Sequence, residues 1–200
     1  MIHPHTQLQF INSEKGFGVV ATEFIPKGTI TWIGDSLDHE LTPAQILTFD
    51  EKIRETLNKY CYINHKGNYI LCWDISRYVN HSFTSNCIST AYNFELAVRD
   101  IHPGEELTDD YGYLNPQEPI FFPKEEGSDR THVLPDDLLN YNTKWDLLLN
   151  EAFRTFNAVK QPLSHLIEET YREKVKMIAA GEKKMDSILN CYYNPLPQPR

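Results

Sequence analysis

No two of the four cysteines, Cys61, Cys72, Cys87 and Cys191, stand in a C-x-x-C pair, which excludes a zinc ribbon and a thioredoxin-type redox site. At 200 residues the chain can bury a core without staples, so the cysteines read as reduced thiols of an intracellular protein. No apolar run approaches the ~20 residues of a membrane span. The opening MIHPHTQLQF is polar and broken by Pro4, unlike a leader, and no membrane association is expected. Lys and Arg are nowhere gathered into a block, and the net charge is −9. That balance argues against nucleic acid as the main partner and suits a cationic one. Without an import-like basic block the cytoplasm is the default location, and a nuclear one, in its own or a host cell, stays open. Repeats and low-complexity segments are missing too.

What is present from Gln7 to Tyr113 is a series of short strands with frequent turns: GFGVVATEF, GTITWIG, NYILCW, FELAVRDI and EELTDDY, punctuated by Gly, Pro and Asn. One helix is expected inside this β-rich region, about 42–58, where Thr42, Pro43 and Gln45 offer an N-cap, a first-turn proline and a capping-box partner. Ile46, Phe49, Ile53 and Leu57 then recur at helical spacing. After Tyr113 a Pro-rich, charged connector leads into helices. One is expected from Pro135 through NYNTKWDLLLNEAFRTF. A second fits PLSHLIEETYREKVKMIAAG, with Leu163, Leu166, Ile167, Thr170 and Ile178 on one face and Gly181 as its stop. A third short helix over EKKMDSILNCYY and a fraying NPLPQPR tail complete the chain. The division is 1–115 as one domain and 116–200 as connector plus helical extension.

Three separated pieces carry candidate chemistry: KGFG at 15–18, RYVNHSFTSNC at 77–87 and GEELTDDYGY at 104–113. Each alone has an ordinary reading. A lone G-x-G is usually a turn and lacks the third glycine and helix of a dinucleotide fingerprint, and Tyr111 before Gly112 reads as a β-rich core aromatic. His81 and Ser82 are adjacent, so on extended chain they point to opposite faces and cannot form a nucleophile–base pair. Nothing marks Cys87 as electropositive. Glu105, Glu106, Asp109 and Asp110 would suit a carboxylate pair, but a solvated acidic edge is the more economical reading.

Together and in this order the three pieces resemble the SET domain, the protein-lysine methyltransferase family that uses S-adenosylmethionine. KGFG with VVATEFIPKGT resembles the family's opening glycine strand and Pro-Lys-Gly turn. RYVNHSFTSNC resembles its Asn-His-Ser segment, and RDIHPGEELTDDYGY its closing Asp-Tyr-Gly segment; the similarity covers residues 7 to 113. The resemblance implies a mostly β core with a knot-like threading, a cofactor pocket on one side and a lysine channel on the other. It implies that Asn80 holds the amino group of the methionine moiety, that backbone at Asn80 and His81 meets the adenine, and that Gly16, Phe17 and Gly18 approach the carboxylate. Tyr60 is a further cofactor candidate. Tyr111 is implied as the catalytic residue, with Trp32 and Tyr113 as channel walls; for Trp32 a buried strand tryptophan is an equal alternative.

The implied chemistry is an in-line displacement on an already activated methyl carbon, so alignment is the main task and no metal is required. The product is S-adenosylhomocysteine. A phenol with a pKa of about 10 is largely protonated at neutral pH, so Tyr111 is expected to position rather than deprotonate. Two departures from the family stand out: Phe83 replaces a common cysteine, and Ser85 a common proline. Many histone-directed members pair that cysteine with a C-terminal zinc cluster, and no cysteine cluster follows residue 113 here. Residues 116–200 are then expected either to cover the cofactor, with Phe121, Phe122 or Trp145, or to pack on the core or form a homodimer. The expected partner is a protein bearing a target lysine, a histone among the candidates, which would make the activity a histone modification. A catalytically silent SET module that binds a lysine-bearing peptide or partner protein is the alternative.

Overall fold

The computed structural model describes residues 1–194. Strands β1 (Thr6–Asn12) and β2 (Gly16–Ala21) form an antiparallel hairpin. After them come β3 (Ile30–Ile33) and β4 (His39–Leu41), then helices α1 (Pro43–Ile46) and α2 (Glu51–Tyr60). Six short strands follow: β5 (Cys61–Ile63), β6 (Tyr69–Leu71), β7 (Asn80–His81), β8 (Cys87–Ser89), β9 (Phe94–Ala97) and β10 (Thr108–Asp109). The chain continues through β11 (Ile120–Phe121), β12 (His132–Val133), α3 (Asp137–Phe153) and α4 (Glu169–Ala179). Each of the five β-rich segments of the sequence contains a strand. The strands make small sheets, of which β3–β9–β8 and β4–β6–β5 have three members. No helix among the described residues is long and apolar enough to cross a membrane.

Helix boundaries depart from the sequence expectation for local reasons. Thr42 and Gln45 form the expected capping box over Pro43, but α1 ends after one turn. Asp50 then accepts from the Ile53 N–H at 2.9 Å and caps a second helix, since a short acceptor side chain competes with the backbone inside a helix. The single helix expected at 42–58 is therefore two. In the extension, the expected helix over 162–181 begins only at Glu169. Ile167 leaves helical backbone with ψ of 125° and buries its side chain beside Leu163. Thr170 is exposed, while Val175 and Ile178 supply the buried face of α4. Gly181 stops it at φ +74° as expected. The third helix is reduced to the 3₁₀ turn Ile188–Cys191, capped by Ser187. The tail from Pro195, expected to fray, lies outside the described residues.

The main core joins both halves of the chain. Ile30, Ile88, Phe94 and Leu96 of the β3–β9–β8 sheet meet Leu138, Trp145, Leu149 and Phe153 of α3 and Ile178 of α4. The helices thus pack on the sheet, which is one of the roles the sequence left open. A second cluster of Val19, Ile25, Val79, Cys87, Ile101 and Leu107 seats the β1–β2 hairpin against the polar segment at 77–87.

A charged clamp ties the connector to these cores. The Arg130 guanidinium bonds Asp110 and Asp137, both 1% exposed. Its flat face lies 4.5 Å from the Phe83 ring and 4.3 Å from the Tyr141 ring. Burial pushes both carboxyls upward in pKa even with the cation between them. Removing a single partner from such a buried network strands the remaining charges. Arg130→Ala should cost about 3–5 kcal/mol of stability in urea denaturation, and an unchanged midpoint would show that the clamp is not part of what holds the extension in place.

Candidate active site

The two later motifs meet because β7 and β10 pair in parallel, Asn80 opposite Thr108 and His81 opposite Asp109. Ser82 N–H extends the ladder to Asp109 O at 2.9 Å. Neither strand exceeds two residues, so side chains must reinforce them. Fully buried Asn86 does so: its Oδ1 accepts from Thr108 N–H at 2.9 Å and its Nδ2 donates to Glu106 O at 2.8 Å.

Against this ladder β2 builds a glycine cradle. Asn80 Nδ2 donates to Phe17 O at 3.1 Å and to Glu106 Oε1 at 2.6 Å. Both amide hydrogens are thus occupied, which turns Oδ1 toward the role of acceptor, the one an ammonium group needs. Lys15 Nζ sits 2.9 Å from Glu106 Oε2, so a cation and an anion flank the cradle. A Cβ on Gly18 would fall 2.4 Å from Glu106 Oε1 and 2.8 Å from Ile11 Cγ1, whereas one on Gly16, at φ +75°, would meet nothing within 4 Å. The first glycine leaves main chain open and the second permits close packing.

His81, next to Asn80 in β7, joins this ladder to Tyr111. Its Nδ1 accepts the Tyr111 N–H at 3.2 Å, which puts the ring proton on Nε2, and that buried nitrogen has no partner among the described residues. Burial, and then the Arg130 guanidinium, hold the His81 pKa down to about 3. Phe122 lies 4.0 Å away across the ring and Phe83 4.3 Å away edge-on. Glu125, three residues after Phe122, accepts from Thr84 N–H at 2.7 Å and Ser82 Oγ at 3.1 Å. Of the three aromatics expected to cover this region, Phe122 is the one on His81. Phe121 is 64% exposed beside His132, and Trp145 is buried in the core against Tyr113.

On the other side of Tyr111 opens a cavity of about 1150 Å³ lined by Trp32, Tyr60, Tyr62, Glu95, Asp109 and Tyr113 among others. The Tyr111 hydroxyl donates to Val79 O at 2.8 Å, and burial with the nearby Asp109 and Glu106 charges drives its pKa far up. Tyr111 therefore stays a neutral phenol. Tyr113 is 2% exposed, its hydroxyl 2.9 Å from Cys87 O and 3.0 Å from Asp109 Oδ1. Trp32 is both buried and part of the lining, edge-on to Tyr62 at 6.0 Å. Tyr60 stands in this lining, against Tyr78, whereas Gly16, Phe17, Gly18, Asn80 and His81 do not line the cavity. The candidate residues thus divide into two groups that touch at Tyr111.

Sequence reasoning missed several neighbours. Asp109 and Asp110 are 6% and 1% exposed, so the acidic run is not a solvated edge at its closing half. Tyr62 and Glu95 in the cavity lining, and Glu125 and Arg130 beside the 80–84 segment, carried no signal of their own in the sequence. The available signal was Phe83 in place of cysteine, which called for a different cover over the 80–84 segment.

Residues 16–112 match the SET domain family. The chain is also similar to the histone-lysine N-methyltransferase Set2 of Drosophila melanogaster, with 32% identity over 119 residues. That stretch is 52% of this chain and 5% of the relative, so the chain spans a small part of that protein.

The His81 environment sets a pH dependence. Its pKa is 6.5 before folding and about 3 after, so between these values the unfolded chain binds a proton that the folded protein refuses. Stability should therefore fall as pH drops below 6.5, by about 1.4 kcal/mol per pH unit for this group. Urea midpoints from pH 7.5 to 4.5 should show the wild type losing ground to His81→Asn by that slope; parallel curves would mean His81 is not held neutral.

Proposed function

Because residues 16–112 match the SET domain family, we propose that the protein transfers a methyl group from S-adenosylmethionine to a lysine side chain of a protein substrate. The observation that carries this reading is the division of the site at Tyr111, with a polar glycine cradle on one side and an aromatic cavity on the other. Two features of the chain fit the cofactor: the Gly18 position, where a Cβ would collide, and the unpartnered Nε2 of His81. When bound, the cofactor supplies an electrophilic methyl carbon on a sulfonium. Asn80 Oδ1 would accept from its ammonium, open main chain at Gly16 would meet its carboxylate, and Phe122 with His81 would bound its flat base.

Tyr111 positions the amine. Its hydroxyl proton is directed to Val79 O, leaving the oxygen to accept from the incoming nitrogen in line with the methyl group. Trp32, Tyr62 and Tyr113 exclude water from the lysine stem, and aromatic faces favour a methylammonium product. Eight acidic residues against three Lys or Arg in the cavity lining favour a basic substrate segment. A histone is a candidate, in keeping with the similarity to the histone-lysine N-methyltransferase Set2. Four unpaired cysteines suit a reducing compartment, cytoplasmic or nuclear.

The test is transfer of label from S-adenosylmethionine to purified core histones and to a cell lysate. Tyr111→Phe should lower turnover at least roughly tenfold, about 1.4 kcal/mol on the barrier, with S-adenosylhomocysteine affinity by calorimetry nearly unchanged. Gly18→Ala should instead lose that affinity. Full activity in Tyr111→Phe would remove the tyrosine from its role, and absence of both label and cofactor binding in the wild type would leave a silent lysine-binding module.

A further inference from the structure

The cavity floor carries two carboxylates that positioning an amine does not require. Glu95 of β9 lies opposite Trp32 in the β3–β9 ladder, and Asp109 is the end of β10. They are 7% and 6% exposed, and both line the cavity that Tyr111 shares. One oxygen of each is held by a hydroxyl: Ser89 Oγ donates to Glu95 Oε1 at 3.1 Å, and Tyr113 lies 3.0 Å from Asp109 Oδ1. The second oxygen of each has no hydrogen-bond donor among the described residues, and neither acid has a Lys or Arg within salt-bridge distance there. The indole N–H of Trp32, itself 7% exposed and part of the same lining, is also unpartnered. Buried acids without a counter-ion are costly, and here their free oxygens border the cavity that leads to Tyr111.

Resting on the reading of this cavity as the lysine channel, we propose that the Glu95–Asp109 pair accepts the proton of the substrate ammonium. An N–H bond of the ammonium breaks, its electron pair stays on nitrogen, and an O–H bond forms on the carboxylate pair. The neutral amine then takes the methyl group, and the acquired proton leaves to water through the cavity mouth before the next turnover. Burial pushes both acids upward in pKa, Glu95 to about 7, and the Glu95 charge raises Asp109 further, so Glu95 changes protonation near neutrality, where a base is most effective. Facing groups do not compete: burial holds Tyr62, Tyr113, Cys72 and Cys87 protonated. The nearby Met1 ammonium is already paired with Asp35.

Glu95→Gln keeps the size of the side chain and the acceptor for Ser89. Methyl transfer should be followed from about pH 6 to 10, alongside thermal melting and S-adenosylhomocysteine calorimetry. Wild-type kcat/KM should level off above about pH 7.5. The variant should be at least roughly tenfold slower at pH 7, climb with unit slope and approach the wild type near pH 10, where the lysine deprotonates in solution; cofactor affinity should stay within about twofold. If Glu95→Gln does not fold, Asp109→Asn carries the same expectation. A folded variant with the wild-type rate at pH 7, or a deficit that high pH does not relieve, overturns the proton role while leaving methyl transfer intact. A wild type that transfers no methyl group at any pH overturns the methyltransferase reading as well.

Discussion

Everything at this site depends on two very short parallel strands. Parallel pairing cannot be closed by a tight turn, so Asn80–His81 and Thr108–Asp109 must be brought together from distant parts of the chain. Two ladder positions supply little stability of their own. The deficit is met by buried Asn86, which satisfies Thr108 and Glu106 at once, and by Tyr113, whose hydroxyl reaches Cys87, Asp109 and Asp110. Because β10 runs into Tyr111, the same pairing that orients Asn80 also sets the phenol between cradle and cavity. Position of the catalytic candidate and integrity of the ladder are one constraint.

The cover over His81 follows a different physical solution from a metal-bound one. Phe83, at a position where the resemblance leads one to expect cysteine, is 3% exposed and offers one ring face to Arg130 and its edge to His81. Arg130 in turn neutralises Asp110, next to Tyr111, and Asp137, at the start of α3. The connector therefore bonds to the motif through a cation between two carboxylates and through Phe122, while α3 and α4 complete the core of the β3–β9–β8 sheet. Cover, clamp and core are contributed by one continuous segment.

The strands and the three motifs were legible because strand alternation, glycine turns and the Asn-His-Ser and Asp-Tyr-Gly runs are local signals. So was the capping box at Thr42. What was not legible is what distant contacts decide: the restart of the helix at Asp50, the late start of α4 where Ile167 turns inward, and the burial of Asp109 and Asp110. Acidic residues in a row read as solvated, and only the partners Arg130 and Tyr113, remote or hidden in sequence, reverse that. Glu95 sat unremarked in FELAVRDI because a single acid in a strand reads as its exposed face, whereas here both faces are covered. Phe122 was one of three aromatics expected as a cover, but Glu125 lay in a connector whose composition suggested no fixed place.

The central claim is that cofactor and lysine occupy opposite sides of Tyr111. Titration of the ¹⁵N-labelled protein with S-adenosylhomocysteine tests it most directly. The account predicts amide shift changes at Gly16, Phe17, Gly18, Asn80, His81 and Phe122, with Trp32, Tyr62 and Glu95 little affected. Changes centred on the Trp32–Tyr62–Glu95 cavity, with the glycine strand silent, would contradict it.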